Sequence, residues 1–116
     1  MRIYAVRIFV NDWETACRFY EEQLGLPLRF SSIDMGWAEF DIGGPSLALE
    51  RAAGGSADLV GRFVGVSLIV DDLDATHDRL VRAGVRFTGP PERQPWGGRL
   101  AHFQDPEGNV LTLLEY

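Results

Sequence analysis

The chain has 116 residues, of which 46% are hydrophobic, and its formal net charge is −6, so one domain with a buried core is expected. The acidic balance argues against nucleic acid and anionic membranes as partners, because no basic stripe is available to bind phosphates. No apolar run reaches the roughly 20 residues of a membrane-spanning helix, and residues 1–7 lack the apolar block of a signal peptide, so we expect a cytoplasmic protein.

The first half of the chain predicts one helix and four strands. Apolar residues alternate along residues 3–10, and Asp12 follows as a helix cap. Residues 13–24 carry apolar side chains at helical spacing, and Gly25 ends this helix. Cys17, the single cysteine, lies in the helical pattern and is expected to be a packed thiol rather than a nucleophile. Further strands are predicted at residues 26–32, 37–42 and 46–51.

The second half predicts the same order of elements. A glycine-rich stretch at 52–61 is expected to be flexible. Asp72 caps a predicted helix that ends before Gly84. The turn Asp105-Pro106-Glu107-Gly108 joins the two strands of a closing hairpin. The predicted elements are a strand at 63–70, the helix at 73–83, a short strand at 85–88, a loop at 92–98, and hairpin strands at 99–104 and 109–116.

The two halves also match in sequence. Residues 10–14 match 70–74, Gly25 matches Gly84, and residues 38–41 match 101–104. An internal repeat of this kind constrains the fold more than any single motif. We therefore predict an α+β fold with two βαβββ repeats, whose curled mixed sheets surround a cleft and carry their helices on the outer faces. A single domain, 1–116, would contain repeat one at 1–52, a linker at 53–62 and repeat two at 63–116.

Four segments carry a resemblance that covers essentially the whole chain. They are residues 7–12, 19–26, 70–73 and 103–109. In this order, and with the repeat, they resemble the vicinal oxygen chelate superfamily, which includes glyoxalase I, bleomycin-resistance proteins, fosfomycin-resistance enzymes and extradiol dioxygenases. The resemblance supports the fold more strongly than any one function, because this fold serves many functions.

The resemblance implies where metal ligands would lie, on the cleft side of the first and last strands of each repeat. These positions are occupied by Ala5, Ala48, Gly65 and Thr112, and Glu50 is the alternative on the fourth strand. None of the four small residues supplies the carboxylate or imidazole groups that a divalent ion needs. We therefore predict no metal site and no cofactor, and space for an organic ligand instead.

Several residues have two possible roles. Trp96, between Pro95 and Gly97, matches a Pro-Trp-Gly element of bleomycin-resistance proteins; it is a ligand or dimer contact, or a loop anchor. Trp37 is either core or cleft wall. Arg7 and Arg99 bind an anionic ligand group or form salt bridges with Glu39, Glu50 or Glu115. His102 is a polar-face residue or has a chemical role. The predicted ligand-binding residues are Arg7, Phe9, Trp37, Ala48, Glu50, Phe63, Ser67, Trp96, Arg99, His102, Thr112 and Leu114.

The favoured function is metal-independent binding of a small organic ligand, aromatic or amphipathic, similar to sequestration by bleomycin-resistance proteins. The resemblance also implies a homodimer, with the cleft completed from two chains. One alternative is a lyase, isomerase or oxidoreductase of the same superfamily, with Glu50 and His102 as acid–base residues. Another is a modulatory subunit without a ligand, whose cleft is plugged by Phe9, Trp37 and Phe63. No catalytic residue is assigned.

Overall fold

Two mixed β-sheets, each accompanied by one α-helix, make up the computed structural model, which describes residues 1–116. The elements are β1 (Ala5–Val10), α1 (Trp13–Arg18), β2 (Leu28–Ser32), β3 (Trp37–Asp41), β4 (Ser46–Arg51), β5 (Phe63–Ile69), α2 (Leu73–Arg82), β6 (Arg86–Phe87), β7 (Glu92–Arg93), β8 (Arg99–Gln104) and β9 (Val110–Glu115). The strands of the first sheet have the order β1-β4-β3-β2, and those of the second have the order β5-β9-β8-β6, with β7 paired to β8. The pairs β1–β4 and β5–β9 are parallel, and all other pairs are antiparallel.

The α+β prediction and the order of strands and helices are confirmed, and the sheets are not closed into a barrel. Two local expectations were wrong. The predicted first helix is α-helical only to Arg18 and continues as a π-helical turn, Phe19–Gln23. The predicted loop at 92–98 begins with the short strand β7. The glycine-rich stretch, whose flexibility stays a prediction, contains a 3-10 helix, Gly54–Leu59. The exact boundaries of the two repeats and of the linker stay a prediction.

Each of the two α-helices has an aspartate as its N-cap, and a glutamate distant in sequence accepts further backbone hydrogen bonds at the same end. Asp12 accepts a hydrogen bond from Thr15 N (3.2 Å), and Asp72 accepts one from Ala75 N (3.0 Å). The Glu107 carboxylate accepts from the backbone nitrogens of residues 11 and 12, at 2.7 and 2.9 Å, and Glu115 accepts from Leu73 N at 2.8 Å. Carboxylates are favourable there because the first amides of a helix lack partners within it.

One core lies on the helix side of both sheets. Alternate strand positions point into it, including Ile8 and Phe40 from the first sheet and Phe103 from the second. Tyr20, which follows α1, is completely buried and packs its ring 6.1 Å from that of Phe40. Because one core serves both sheets, the opposite face of each sheet is left without a helix. No helix in the chain combines the length and apolar character needed to cross a membrane.

The turn before β9 ties the two repeats together. The buried Asp105 carboxylate accepts hydrogen bonds from Tyr20 Oη (2.8 Å) and from the Asn109 side chain (3.0 Å). Asn109 also donates to Phe9 O at 3.1 Å and accepts from Gly61 N at 2.8 Å. Burial raises the pKa of Tyr20, and the neighbouring Asp105 raises it further, so Tyr20 stays a neutral donor.

Candidate functional site

We call the helix-free surface of the first sheet face one and that of the second sheet face two. Strand alternation and pairing register decide which residues share each face. Face one contains Ala5, Arg7, Phe9, Phe30, Ser32, Trp37, Glu39, Asp41, Ser46, Ala48 and Glu50. Face two contains Phe63, Ser67, Ile69, Leu100, His102, Gln104, Val110, Thr112 and Leu114.

Face one is a network of polar groups that satisfy one another. The Glu39 carboxylate accepts hydrogen bonds from Trp37 Nε1 (2.9 Å), Tyr4 Oη (2.7 Å) and Ser46 Oγ (2.7 Å). These bonds, of which the one from Trp37 has the largest effect, hold the pKa of Glu39 below its usual value. The hydrogen bond between Tyr4 and Glu39 in turn raises the pKa of Tyr4. Glu39 is therefore ionised at neutral pH. The sequence analysis named Glu39 only as a possible salt-bridge partner, although it lies two residues after Trp37 and therefore on the same face of β3.

Two arginines of the first sheet are also occupied. Arg7 Nη1 lies 3.0 Å from Glu50 Oε1, and its guanidinium stacks 5.4 Å from the Phe9 ring centre. Arg29 forms an ion pair with Asp41 at 3.0 Å and donates to Ser46 Oγ at the same distance. For Arg7 the structure therefore shows the salt-bridge alternative. A polar ligand on face one would compete with these contacts.

Face two is mainly apolar and uncovered. Phe63 is 62% exposed and Ile69 is 68% exposed. His102 lies on β8, separated from β5 by β9; its Nδ1 is 2.8 Å from Thr112 Oγ1, and its ring meets that of Phe63 edge-on, with centroids 5.7 Å apart. Ser67 is the register partner of Thr112 on β5. Exposed aromatic and aliphatic side chains beside a few polar groups are typical of a ligand-binding surface.

An aromatic pair extends face two beyond its strands. Trp96, in the turn before β8, lies over Gly98, and a side chain at Gly98 would collide with the indole. Gly98 shares the alternation of Leu100 and His102, so Trp96 lies on the same side of the sheet. Its ring also contacts that of Tyr116 edge-on at 5.7 Å. Trp96 is 54% exposed and Tyr116 is 82% exposed. Sequence reasoning found Trp96 but missed Tyr116 and Ile69.

Arg99 is the one predicted ligand residue that lies on the helix side. It donates to both oxygens of Asp74 in α2, at 2.8 and 3.0 Å, and to Glu115 at 3.4 Å. The hydrogen bond from Arg99 lowers the pKa of Asp74. The alternation of β8 predicts this orientation, because Arg99 lies two residues before the core residue Ala101 and therefore on the same side of the strand. The remaining predicted residues divide between the faces: Arg7, Phe9, Trp37, Ala48 and Glu50 on face one, and Phe63, Ser67, Trp96, His102, Thr112 and Leu114 on face two.

The four positions implied for metal ligands do not form one site. Ala5 and Ala48 lie on face one, where Glu50 also points, while Gly65 and Thr112 belong to the second sheet. No three His, Cys, Asp or Glu side chains of the chain converge to hold an ion. Gly65 has a backbone reason to be glycine, since its φ of +83° at an irregularity in β5 disfavours a side chain. The residues present do not fit a divalent metal.

The four cavities of the chain are lined by residues other than Ala5, Ala48, Gly65 and Thr112. We expected these small residues to leave space for a ligand. Within one chain they do not, because Ala48 is completely buried and Thr112 is 3% exposed. An apolar groove of about 290 Å³ runs beside β5 and α2, and a smaller cavity of about 140 Å³ borders His102. The groove is lined by Leu24, Leu26, Ile42, Val66, Ser67, Leu68, Ile69, Val70, Thr76, Arg79, Leu80 and Leu113.

Two chemical alternatives lack the necessary geometry within the chain. Glu50 is bound to Arg7 on the first sheet and His102 to Thr112 on the second, so no contact joins the proposed acid–base pair. The Cys17 thiol is partly buried, and this burial raises its pKa to about 11, which keeps it protonated at neutral pH.

Comparison with known proteins agrees with this fold. A family model described as the Glyoxalase/Bleomycin resistance protein/Dioxygenase superfamily matches residues 2–113. The chain is 31% identical over 112 residues to a bleomycin resistance protein of Klebsiella pneumoniae, covering 90% of this chain and 85% of that one. It is 32% identical over 124 residues to the uncharacterized protein YraH of Bacillus subtilis, covering 97% of each.

Solved structures give the same result. A superfamily member from Sphaerobacter thermophilus superposes with a TM-score of 0.83 at 31% identity, covering 100% of this chain and 98% of that one. TnmS3, an antibiotic binding protein from Streptomyces sp. CB03234, superposes with a TM-score of 0.79 at 33% identity, covering 99% of this chain and 95% of that one. The chain therefore belongs to the glyoxalase/bleomycin resistance protein/dioxygenase superfamily.

Proposed function

We propose that this protein binds a small aromatic or amphipathic organic molecule on face two, without a metal ion, and sequesters it. The observation that carries the proposal is that four large apolar side chains on this side of the second sheet, Phe63, Ile69, Trp96 and Tyr116, are each more than half exposed. Exposing so much apolar surface to water is unfavourable, and a flat apolar ligand would cover it. Aromatic rings also offer stacking partners for such a ligand.

Metal independence is supported by the donor set. Ala5, Ala48, Gly65 and Thr112 occupy the positions from which relatives would supply ligands, and no alternative cluster of donors replaces them. Binding by shape, stacking and hydrogen bonds requires only the side chains that face two presents. The named activities of the Klebsiella pneumoniae and Streptomyces relatives, bleomycin resistance and antibiotic binding, favour an antibiotic-like ligand.

A homodimer completes this proposal. Within one chain, no side-chain hydrogen bond, ion pair or aromatic pair joins face one to face two. A second copy could cover face two and supply Trp37 or Phe9 from its own face one, which would close a cleft around the ligand. The cytoplasmic location expected from the sequence stays a prediction.

The proposal is tested with 9-fluorenone, a planar tricyclic ketone, as the probe. Titration into the protein in EDTA is followed by quenching of tryptophan fluorescence and by the melting temperature, and the dimer is measured by analytical ultracentrifugation. With EDTA present throughout, we expect 9-fluorenone to quench the fluorescence saturably and to raise the melting temperature. A large melting shift with Zn²⁺ or Mn²⁺, and none with the probe, would overturn the proposal.

A further inference from the structure

Face two contains one pair of polar side chains that meet across neighbouring strands. His102 on β8 and Thr112 on β9 are register partners, and Nδ1 of the imidazole lies 2.8 Å from the threonine Oγ1. Thr112 is 3% exposed, and its hydroxyl makes no other hydrogen bond within the chain. Which of the two atoms donates the proton in this contact depends on the tautomer of the imidazole.

Only one assignment of the protons gives the buried Thr112 hydroxyl an acceptor within the chain. A buried hydroxyl needs an acceptor for its proton, and the only one within reach of Thr112 is Nδ1 of His102. If Nδ1 accepts, the neutral imidazole carries its proton on Nε2. If Nδ1 instead carried the proton, the Thr112 hydroxyl would be a buried donor without a partner, which is unfavourable.

The Nε2–H group that results has no protein partner. Half-buried His102 also borders the 140 Å³ cavity with Thr88, Glu92 and Gln94, which has room for a polar substituent. The ring of Phe63 stands beside the imidazole at 5.7 Å and is 62% exposed. The oriented Nε2–H donor and the exposed Phe63 ring together suit a planar ligand that carries a hydrogen-bond acceptor.

We propose that His102 determines ligand specificity by donating a hydrogen bond from Nε2 to an uncharged acceptor, a carbonyl oxygen or ring nitrogen, on a planar ligand that packs against Phe63. Thr112 is the positioning residue that holds the imidazole in the required tautomer. This inference rests on the proposed function and specifies the ligand class. Planar hydrocarbons without an acceptor fit the apolar contacts but lack the hydrogen bond.

The tautomer is measured first, without any ligand. Two-bond ¹H–¹⁵N correlation spectra of the His102 imidazole at pH 8 distinguish Nε2–H from Nδ1–H. We expect Nε2–H in the wild type and in Thr112→Ser, which keeps the hydroxyl, and a mixture of tautomers in Thr112→Val. An Nδ1–H imidazole in the wild type would overturn the inference whatever the ligand result.

The second measurement compares 9-fluorenone with fluorene, which has the same tricyclic frame without the carbonyl. We expect the wild type to bind fluorenone about tenfold more tightly, as one net hydrogen bond allows. His102→Phe keeps an aromatic ring and should bind both probes equally, while His102→Gln, whose amide can replace the Nε2 donor, should retain part of the preference. Circular dichroism and the melting temperature confirm that each variant is folded.

The outcomes separate this inference from the proposed function. Equal affinity of the wild type for both probes would overturn the role of His102 and leave ligand binding intact. Binding of neither probe would overturn the proposed function, and this inference with it. A fluorenone preference that disappears in His102→Phe, weakens in Thr112→Val and returns in Thr112→Ser would support both.

Discussion

The two open faces are built from repeats of the same order, yet their chemistry is opposite. On face one, Glu39 receives three neutral donors and Arg7 is paired with Glu50, so these polar groups bind one another. On face two, exposed Phe63 stands beside His102, whose Nε2 has no partner, and exposed Trp96 pairs with Tyr116. Duplication of a fold does not duplicate a site, because the backbone leaves the choice of side chains on a helix-free face open.

The largest effect is expected where the two repeats are joined. Asp105→Asn replaces a carboxylate oxygen, which accepts hydrogen bonds from Tyr20 and Asn109, with an NH₂ group. The buried donors of Tyr20 and Asn109 would then face another donor. We expect the free energy of unfolding to fall by about 3 kcal/mol in urea denaturation at pH 7. Tyr20→Phe, which removes one of these bonds and keeps the ring, should cost less. A change below about 1 kcal/mol for Asp105→Asn would show that the turn is not needed to hold the repeats together.

The second prediction compares one phenylalanine from each face. Phe63→Ala should weaken 9-fluorenone binding about tenfold, because the ring is an exposed stacking surface beside His102. Phe30→Ala is the matched control, since Phe30 is 48% exposed on β2, the outer strand of the first sheet. Its effect on affinity should be less than twofold. If Phe30→Ala weakens binding more than Phe63→Ala, the ligand lies on face one.

The third prediction concerns the polar network of face one. The pKa of Glu39 is lower in the folded chain than in the unfolded one, so its contribution to stability is present above the ordinary value of 4.5 and is lost as pH falls through the folded value. Glu39→Gln should therefore be less stable than the wild type at pH 7, by about 1 kcal/mol because solvent screens the site. The difference should shrink below pH 4. Urea denaturation of both proteins between pH 3 and pH 7 measures it; a difference that grows toward acid would contradict the assignment.

The smallest effect is expected for Arg99→Gln. Arg99 bonds to Asp74 and Glu115 on the helix side, away from both faces. Fluorenone affinity should be unchanged within the error of the titration, although Arg99 was a predicted ligand residue. Since the Arg99 hydrogen bond lowers the pKa of Asp74, that pKa should rise toward its usual value in the variant, as followed by carboxyl NMR. A clear loss of affinity would place the ligand near β7 and α2.

Much of the fold could be predicted from local signals. Alternating apolar residues identified β1 and β5, and Asp12 and Asp72 identified the starts of both helices. The π-helical turn after Arg18 escaped prediction because its spacing of apolar residues resembles that of an α-helix over such a short length. Strand β7 escaped because two residues paired to β8 carry no alternation to detect.

The candidate site could be predicted only in part. Alternation places Phe63 and His102 correctly on helix-free faces, and the same rule, applied consistently, would have placed Arg99 on the helix side. The triple hydrogen bonding of Glu39 had no sequence signal, because Tyr4 and Ser46 come from strands whose pairing depends on the whole sheet.

By itself, the sequence determined the order of elements, the internal repeat and the side of each strand that meets the core, because alternation, helix caps and turn residues act within a few neighbouring positions. Only the tertiary structure decided which polar groups satisfy one another and which are left free. Those pairings join residues as distant as Arg7 and Glu50, or Tyr20 and Asp105, and they depend on strand register and on packing around one shared core.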